Sequence, residues 1–415
     1  MNLSTNTRRW VVLAAVFLNL ALLYGIWYSY AVFLVALLQE FHWSRSVLAG
    51  AFSVFILVNG AISPIVGWMA GRLGARRVML FGGVTLVAGL FLAAHTSVWW
   101  HLYVAFGLIA SIGLTSAGWL PSIIVVRAWF LDRVGMAVGV VSAGIGVGIA
   151  FVVPLMQYSI GNVGWRWTFR LVALAVVIWM LPATFALIRE AAPEYIPPDT
   201  TNRPAWRDAL GAALRDRRYW YLGGVYAFGN MVTQLLFVHQ IAYLVDHGVA
   251  VLAAASVAGV AGMASIVGKV GWGSLSDRYG RELAYSWAMA CLVASVGVLV
   301  LAGQYPESLL PFVYAVLFGL GYAGSAALTP AATSDLFAGP GFSTIFGTFQ
   351  TILAVGAAGG AWLAGKIFDV TGSYSLALWL ALAGSLAAPA LMWLAAPSRA
   401  LRVSGTVFPS SPLKR

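Results

Sequence analysis

Lys269 stands in GMASIVGKVGWGSLSDRYGR (262–281), whose first half is glycine, small residues and aliphatics. The first acid, Asp277, comes eight residues later. A charge at mid-bilayer costs about 2.5–3.5 kcal/mol on insertion scales, so an ammonium in such a run points to a function. The chemistry it offers is capture of an anion by a compact cation that can also exist neutral. Snorkelling towards the inner surface is the bland alternative. His239, in TQLLFVHQIAYLVDHG (233–248), is a second titratable candidate, because imidazole changes charge near an ordinary pKa of about 6.5.

Polar and aromatic residues recur at helical spacing around these two. Tyr226, Asn230, Thr233 and Phe237 form one stripe with Gln234 at its edge, and Phe318, Tyr322, Ser325 and Thr329 form another. Tyr24 and Tyr28 sit one turn apart, as do Thr115 and Trp119, and Ser265 lies one turn before Lys269. One cation, a few hydroxyl or amide donors and apolar walls are what a small hydroxy acid needs. Interhelical hydrogen bonds, each about 0.6 kcal/mol on average, are the alternative use of the same residues. Asn230 and His239 are nine residues apart, about 180° on a helix, so they do not face one cavity.

These stripes need long helices to carry them, and the composition supplies those. The 415 residues are 61% hydrophobic and only 9% charged, against about 25% charged in a soluble globule. Twelve apolar spans are predicted, near 10–38, 44–70, 77–95, 99–126, 134–160, 167–189, 219–245, 250–275, 282–302, 308–334, 342–366 and 373–396. The first is too long for a cleavable signal segment. With the N-terminus inside, 19 of the 24 lysines and arginines fall on the inner side, which sets an N-in, C-in orientation. Arg45, Arg166, Arg170 and Lys366 fall outside, and Lys269 lies within a span. The net charge of +11 is therefore topogenic, and no nucleic-acid partner is expected.

The eighth span runs inward, placing Lys269 about 12 Å before Asp277 and a few ångströms inside the midplane. Its side chain leans back towards the membrane centre. Glu40, Asp132, Asp246, Glu307, Asp335 and Asp369 all fall at span ends or loops. The single cysteine, Cys291, excludes an internal disulfide, and the five histidines show no ligand spacing. Neither a metal site, a cofactor nor an enzyme's nucleophile and base is indicated.

The chain divides into bundles at 1–190 and 219–398, a linker at 191–218 and a tail at 399–415. The linker holds turn formers, EAAPEYIPPDTTNRP, then AWRDALGAALRDRR, with Trp206, Leu210, Ala213 and Leu214 spaced for a short helix on the inner membrane face. The halves echo each other: Gly67, Arg72 and Gly74 recur 206 residues later as Gly273, Arg278 and Gly280. Two pseudo-symmetric six-helix bundles with a site between them are a common carrier architecture. Glycines cluster in GVVSAGIGVG and GAAGGAWLAG, which predicts close helix packing there.

The Gly-x-x-x-Asp-Arg-x-Gly-Arg pattern at 273–281 resembles the loop signature of the major facilitator superfamily. The first copy departs from it, with Gly71 where the family has Asp. The resemblance implies the major facilitator fold and a conformational gate at Arg72, Asp277, Arg278 and Arg281. YSYAVFLVALLQEFHWSRS (28–46), WFLDRVGMAVGVVSAGIGVG (129–148), GWRWTF (164–169) and FDVTGSY (368–374) resemble the monocarboxylate transporters, with the oxalate/formate exchangers nearby. Lys269 aligns with a substrate-binding arginine of that family. The family's acid one turn earlier is Ser265 here, and its first-span lysine is missing.

The resemblance implies a bacterial inner-membrane carrier, functional as a monomer in the lipid bilayer, that takes up L-lactate or a similar monocarboxylate with a proton. Carboxylate exchange is the alternative. The expected substrate contacts are Lys269, Tyr28, Tyr24, Asn230, Gln234, Tyr322, Trp119 and Ser265. Lys269 and His239 are the expected proton carriers.

Overall fold

The computed structural model describes residues 5–130, 133–188, 206–337 and 342–397. Asp132, the linker up to residue 205 and the tail at 399–415 lie outside the described residues. All regular elements among the described residues are helical. Eleven helical runs are long and apolar enough to cross a membrane. One of them, Gly135–Ala186, has 52 residues, more than twice the ~20 that a single crossing takes. Gly164 breaks it with φ 81° and ψ 161°, a conformation open to glycine, so the run makes the fifth and sixth spans.

The others are the first (Thr7–Phe41), second (Arg45–Leu73), third (Ala75–Ala93), fourth (Trp99–Trp129), seventh (Arg217–Asp246) and eighth (Val251–Tyr279) spans. The ninth (Arg281–Gln304), tenth (Leu310–Phe337), eleventh (Thr344–Thr371) and twelfth (Ser375–Ala395) complete the set. This is the architecture expected from the apolar runs. A short helix, Trp206–Arg215, precedes the seventh span.

Two spans are less regular than their sequence period suggests. The first is interrupted for one residue at Ser29, whose hydroxyl donates to the Gly25 carbonyl at 2.7 Å. The fourth passes through a π-helical stretch, Tyr103–Ala110, and breaks at Gly118 (φ −84°, ψ −135°). Thr115 and Trp119 therefore lie on different helical segments, and the stripe expected of them does not form. Thr115 instead accepts from Asn59 Nδ2 at 2.6 Å.

The glycine clusters serve close packing. A Cβ on Gly148 would lie 2.0 Å from the Ala21 carbonyl oxygen, and one on Gly360 would lie 2.2 Å from that of Met231. The fifth span thus packs against the first, and the eleventh against the seventh.

Burial differs between the two ends of the molecule. Every residue from Val232 to Leu244, the outer part of the seventh span, is buried, whereas its inner part alternates. In the first span the run from Tyr30 to Val35 is buried on all sides. One apolar core joins both bundles through these segments. The inner part of the N-terminal bundle has a separate core, built on residues such as Val12, Val16, Met79, Val126 and Val141. The halves thus share a core near the outer face and not near the inner one.

Candidate functional site

Four spans bring the mid-membrane residues together. Lys269 is half-buried on the eighth span, with Nζ 5.9 Å from the centre of the Tyr322 ring. That distance is within reach of a cation–π contact. Tyr322 lies near the middle of the tenth span, so the ammonium sits near the membrane centre, as the lean of a helical side chain requires. No carboxylate among the described residues forms an ion pair with it. Ser265, buried one turn away, stands beside the Tyr322 hydroxyl and donates its own proton to the Gly262 carbonyl at 2.7 Å.

Phe237 of the seventh span forms the bridge between the bundles. Its ring centre is 5.6 Å from that of Tyr322 and 4.4 Å from that of Tyr28 on the first span. Gln234 shares its helix face one turn further in and is 7% exposed. The Gln234 Oε1 atom is buried without a hydrogen-bond partner from the protein, and the Tyr322 hydroxyl has Ser265 beside it. Buried polar atoms are rarely left so, although Asn19 Oδ1, Ser122 Oγ and Ser385 Oγ share this state outside the group. Trp27 Nε1 is another such atom, on a ring stacked 5.8 Å from Tyr24. Sequence reasoning missed Trp27, because a tryptophan in an apolar run gives no sign that its N–H lacks a partner.

The remaining candidates stand apart. Asn230 uses its amide on the Tyr226 carbonyl of its own helix at 2.9 Å. Trp119, at the start of the segment after the Gly118 break, packs with Tyr24 against the inner N-terminal core. His239 is buried on the far side of the seventh span, with Nδ1 2.9 Å from the Tyr374 hydroxyl and Nε2 2.9 Å from the Ala361 carbonyl. It belongs to a different cluster from Lys269.

That cluster closes the outer face. Arg45, at the head of the second span, gives Nη1 to Tyr374 at 2.6 Å and Nη2 to the Asp246 carboxylate at 2.7 Å. Its guanidinium lies 3.7 Å from the centre of the Phe368 ring. The Asp369 carboxylate accepts from the backbone N–H groups of Arg45 and Ser46, each at 2.8 Å. A carboxylate from one bundle thus caps a helix of the other, where the helix dipole favours negative charge. Deeper in, Ser53 donates to the Ala358 carbonyl at 2.7 Å across the same seam.

Arg45, Ser46, Phe368, Asp369 and Tyr374 lie in the stretches 28–46 and 368–374, singled out above for their resemblance. A usable signal was also present in the charge count. Arg45 and Arg166 break the inner bias of the basic residues, and both are ion-paired, Arg166 with Glu40.

At the inner face the pairs seen among the described residues lie within one bundle. Arg281 pairs with Asp277 at 2.6 Å and with Asp335 at 2.9 Å. Arg278 lies over the Tyr279 ring and Arg72 over the Trp68 ring, each a neighbour on its own chain segment. Where the first copy has Gly71, the N-terminal bundle places Arg76 on the Phe185 carbonyl.

Residues 16–361 match the Major Facilitator Superfamily. The chain belongs to that family. Among curated relatives, it is 29% identical to monocarboxylate transporter 13 of Rattus norvegicus, over 91% of this chain and 87% of that protein. Monocarboxylate transporter 2 of Homo sapiens is 25% identical, over 93% and 84%. The MFS-type transporter YcxA of Bacillus subtilis is 24% identical, over 89% and 90%.

Among solved structures, the nucleoside transporter NupG superposes with a TM-score of 0.76 at 12% identity, covering 93% of this chain and 99% of that one. A bacterial homologue of the lysosomal transporter Spinster, in an inward-facing conformation, gives 0.68 at 16% identity, over 97% and 99%. At these identities the structures speak for the fold alone. This facilitator is a multi-pass membrane transporter of the Major Facilitator Superfamily, not an enzyme.

Proposed function

We propose that this facilitator carries a small monocarboxylate, L-lactate first among them, together with a proton. It works by alternating access, as a monomer, in a bacterial cytoplasmic membrane. The observation that carries the reading is the mid-membrane Lys269, which faces Tyr322 and forms no ion pair with a carboxylate of the described protein. A substrate carboxylate supplies that partner. Tyr322, Ser265 and Gln234 offer hydrogen bonds to the rest of a hydroxy acid. Tyr24, Tyr28 and the Phe237 ring provide the walls, with Trp119 and Asn230 as outlying candidate contacts.

Lys269 is also the proposed proton carrier. Protonated, it holds the anion as a neutral pair; neutral, it lets the substrate-free carrier reorient without a buried charge. Described acids lie at span ends, and Glu40, Asp246, Asp335 and Asp369 already have partners there. Arg281, Asp277, Arg278 and Arg72 are proposed to steady the inner ends during reorientation.

The test is labelled L-lactate uptake into liposomes holding the purified protein, with and without an inward proton gradient. Uptake driven by the gradient into liposomes containing no carboxylate supports the reading. Uptake only after preloading with a carboxylate, and indifferent to pH, assigns the protein to exchange instead.

A further inference from the structure

The outer cluster contains a hydrogen-bond chain with a fixed donor at one end and a fixed acceptor at the other. A guanidinium has donors only, so the 2.6 Å contact from Arg45 Nη1 occupies a lone pair of Tyr374 Oη. Tyr374 keeps its own proton to give, and His239 Nδ1 is 2.9 Å away. At the other side of the ring, Nε2 faces the Ala361 carbonyl oxygen, which can only accept. The imidazole therefore carries a proton on Nε2, and in its neutral form it accepts the Tyr374 proton at Nδ1.

A second proton on Nδ1 would turn that acceptor into a donor. Tyr374 would then meet two cationic donors, and its own proton would lose the acceptor it has now. We propose that His239 is a proton-operated latch: protonation from the outer side breaks its link to Tyr374, loosens Arg45 from the C-terminal bundle and opens the outer face.

The charged and titratable surroundings fit this arrangement. On its own helix His239 is followed by Tyr243 and Asp246. Arg45 faces it from the second span, Asp369 from the eleventh and Tyr374 from the head of the twelfth. Asp246 is engaged by the Arg45 side chain and Asp369 by the two backbone N–H groups, while Lys366 is exposed. Arg45 and a protonated His239 would share one hydroxyl between them, and that repulsion is the opening force. The latch depends neither on the identity of the substrate nor on Lys269.

The test uses the full chain in lipid nanodiscs with Cys291→Ser, Val98→Cys and Glu307→Cys, spin-labelled on the exposed outer loops of the two bundles. Inter-label distances are measured between about pH 8 and pH 5, on either side of the ordinary histidine pKa of about 6.5. Acid is expected to raise the long-distance population about fivefold or more, the low end of a typical coupling. His239→Asn keeps an acceptor towards Tyr374, and His239→Gln keeps a donor towards Ala361. Neither titrates, and the population is expected to stay fixed in both. Either variant alone decides the matter if the other fails to fold.

Tyr374→Phe is expected to raise the open population at every pH. An acid response that survives both His239 substitutions overturns the proposal, and so does the lack of one in the protein with His239 intact. A response that survives them but vanishes with Asp369→Asn moves the switch to the carboxylate.

Discussion

The outer and inner ends of this facilitator use the same residue types to opposite purpose. Outside, Arg45 reaches from one bundle to Asp246 and Tyr374 of the other, and Asp369 answers on the Arg45 and Ser46 backbone. Inside, Arg281 holds Asp277 and Asp335 of its own bundle. The outer set ties the halves together, and the inner set stiffens one half. The apolar cores follow the same division, shared outside and separate in the inner N-terminal bundle. An ion pair's placement relative to the seam thus decides whether it governs conformation or stability.

Breaking each set in turn should separate these two roles. Arg281→Ala has the largest expected effect on stability. It leaves Asp335, whose side chain is 12% exposed, without its partner, at a cost of about 2–3 kcal/mol. Thermal unfolding in detergent should show the loss, and outer accessibility should not change. Arg45→Ala should do the reverse, shifting the outer-closed equilibrium by about 1–3 kcal/mol, five- to 150-fold.

Leu34, fully buried in the outer part of the first span, gives the readout for Arg45→Ala. In a Cys291→Ser, Leu34→Cys protein, labelling by an impermeant thiol reagent from outside should accelerate by that factor. An unchanged labelling rate would place the closing force elsewhere. Asp277→Asn is the smallest case, because this carboxylate is 72% exposed and its ion pair is worth about 0.2–1 kcal/mol in such settings. A change in its unfolding temperature as large as that of Arg281→Ala would contradict this view of the inner network.

Much of this was legible in the sequence, and the physical reason is locality. Apolar runs fixed the crossings, basic residues fixed their orientation, and the lean of a helical side chain placed Lys269 towards the membrane centre. The angular separation of Asn230 and His239 kept them out of one cavity. What escaped was non-local or set by backbone detail. Arg45 meets Asp246 and Asp369 at separations of 201 and 324 residues, and nothing in either stretch names the other. Ser29 and Gly118 interrupt spans whose apolar period runs on unbroken, so Thr115 and Trp119 looked like one stripe. The orphaned Trp27 N–H depends on which neighbours surround it, which only packing decides.

Lys269 is proposed both to bind the carboxylate and to carry the proton, and two substitutions test this in one liposome experiment. Lys269→Gln removes the charge, while Lys269→Arg fixes it, since guanidinium stays protonated at every working pH. Net L-lactate uptake under an imposed proton gradient and exchange of labelled for unlabelled L-lactate are measured side by side. Lys269→Gln should lose both activities. Lys269→Arg should keep exchange, in which the carrier crosses loaded, and lose net uptake, in which it must return empty and neutral. Uptake in Lys269→Gln that still follows the proton gradient would contradict the account.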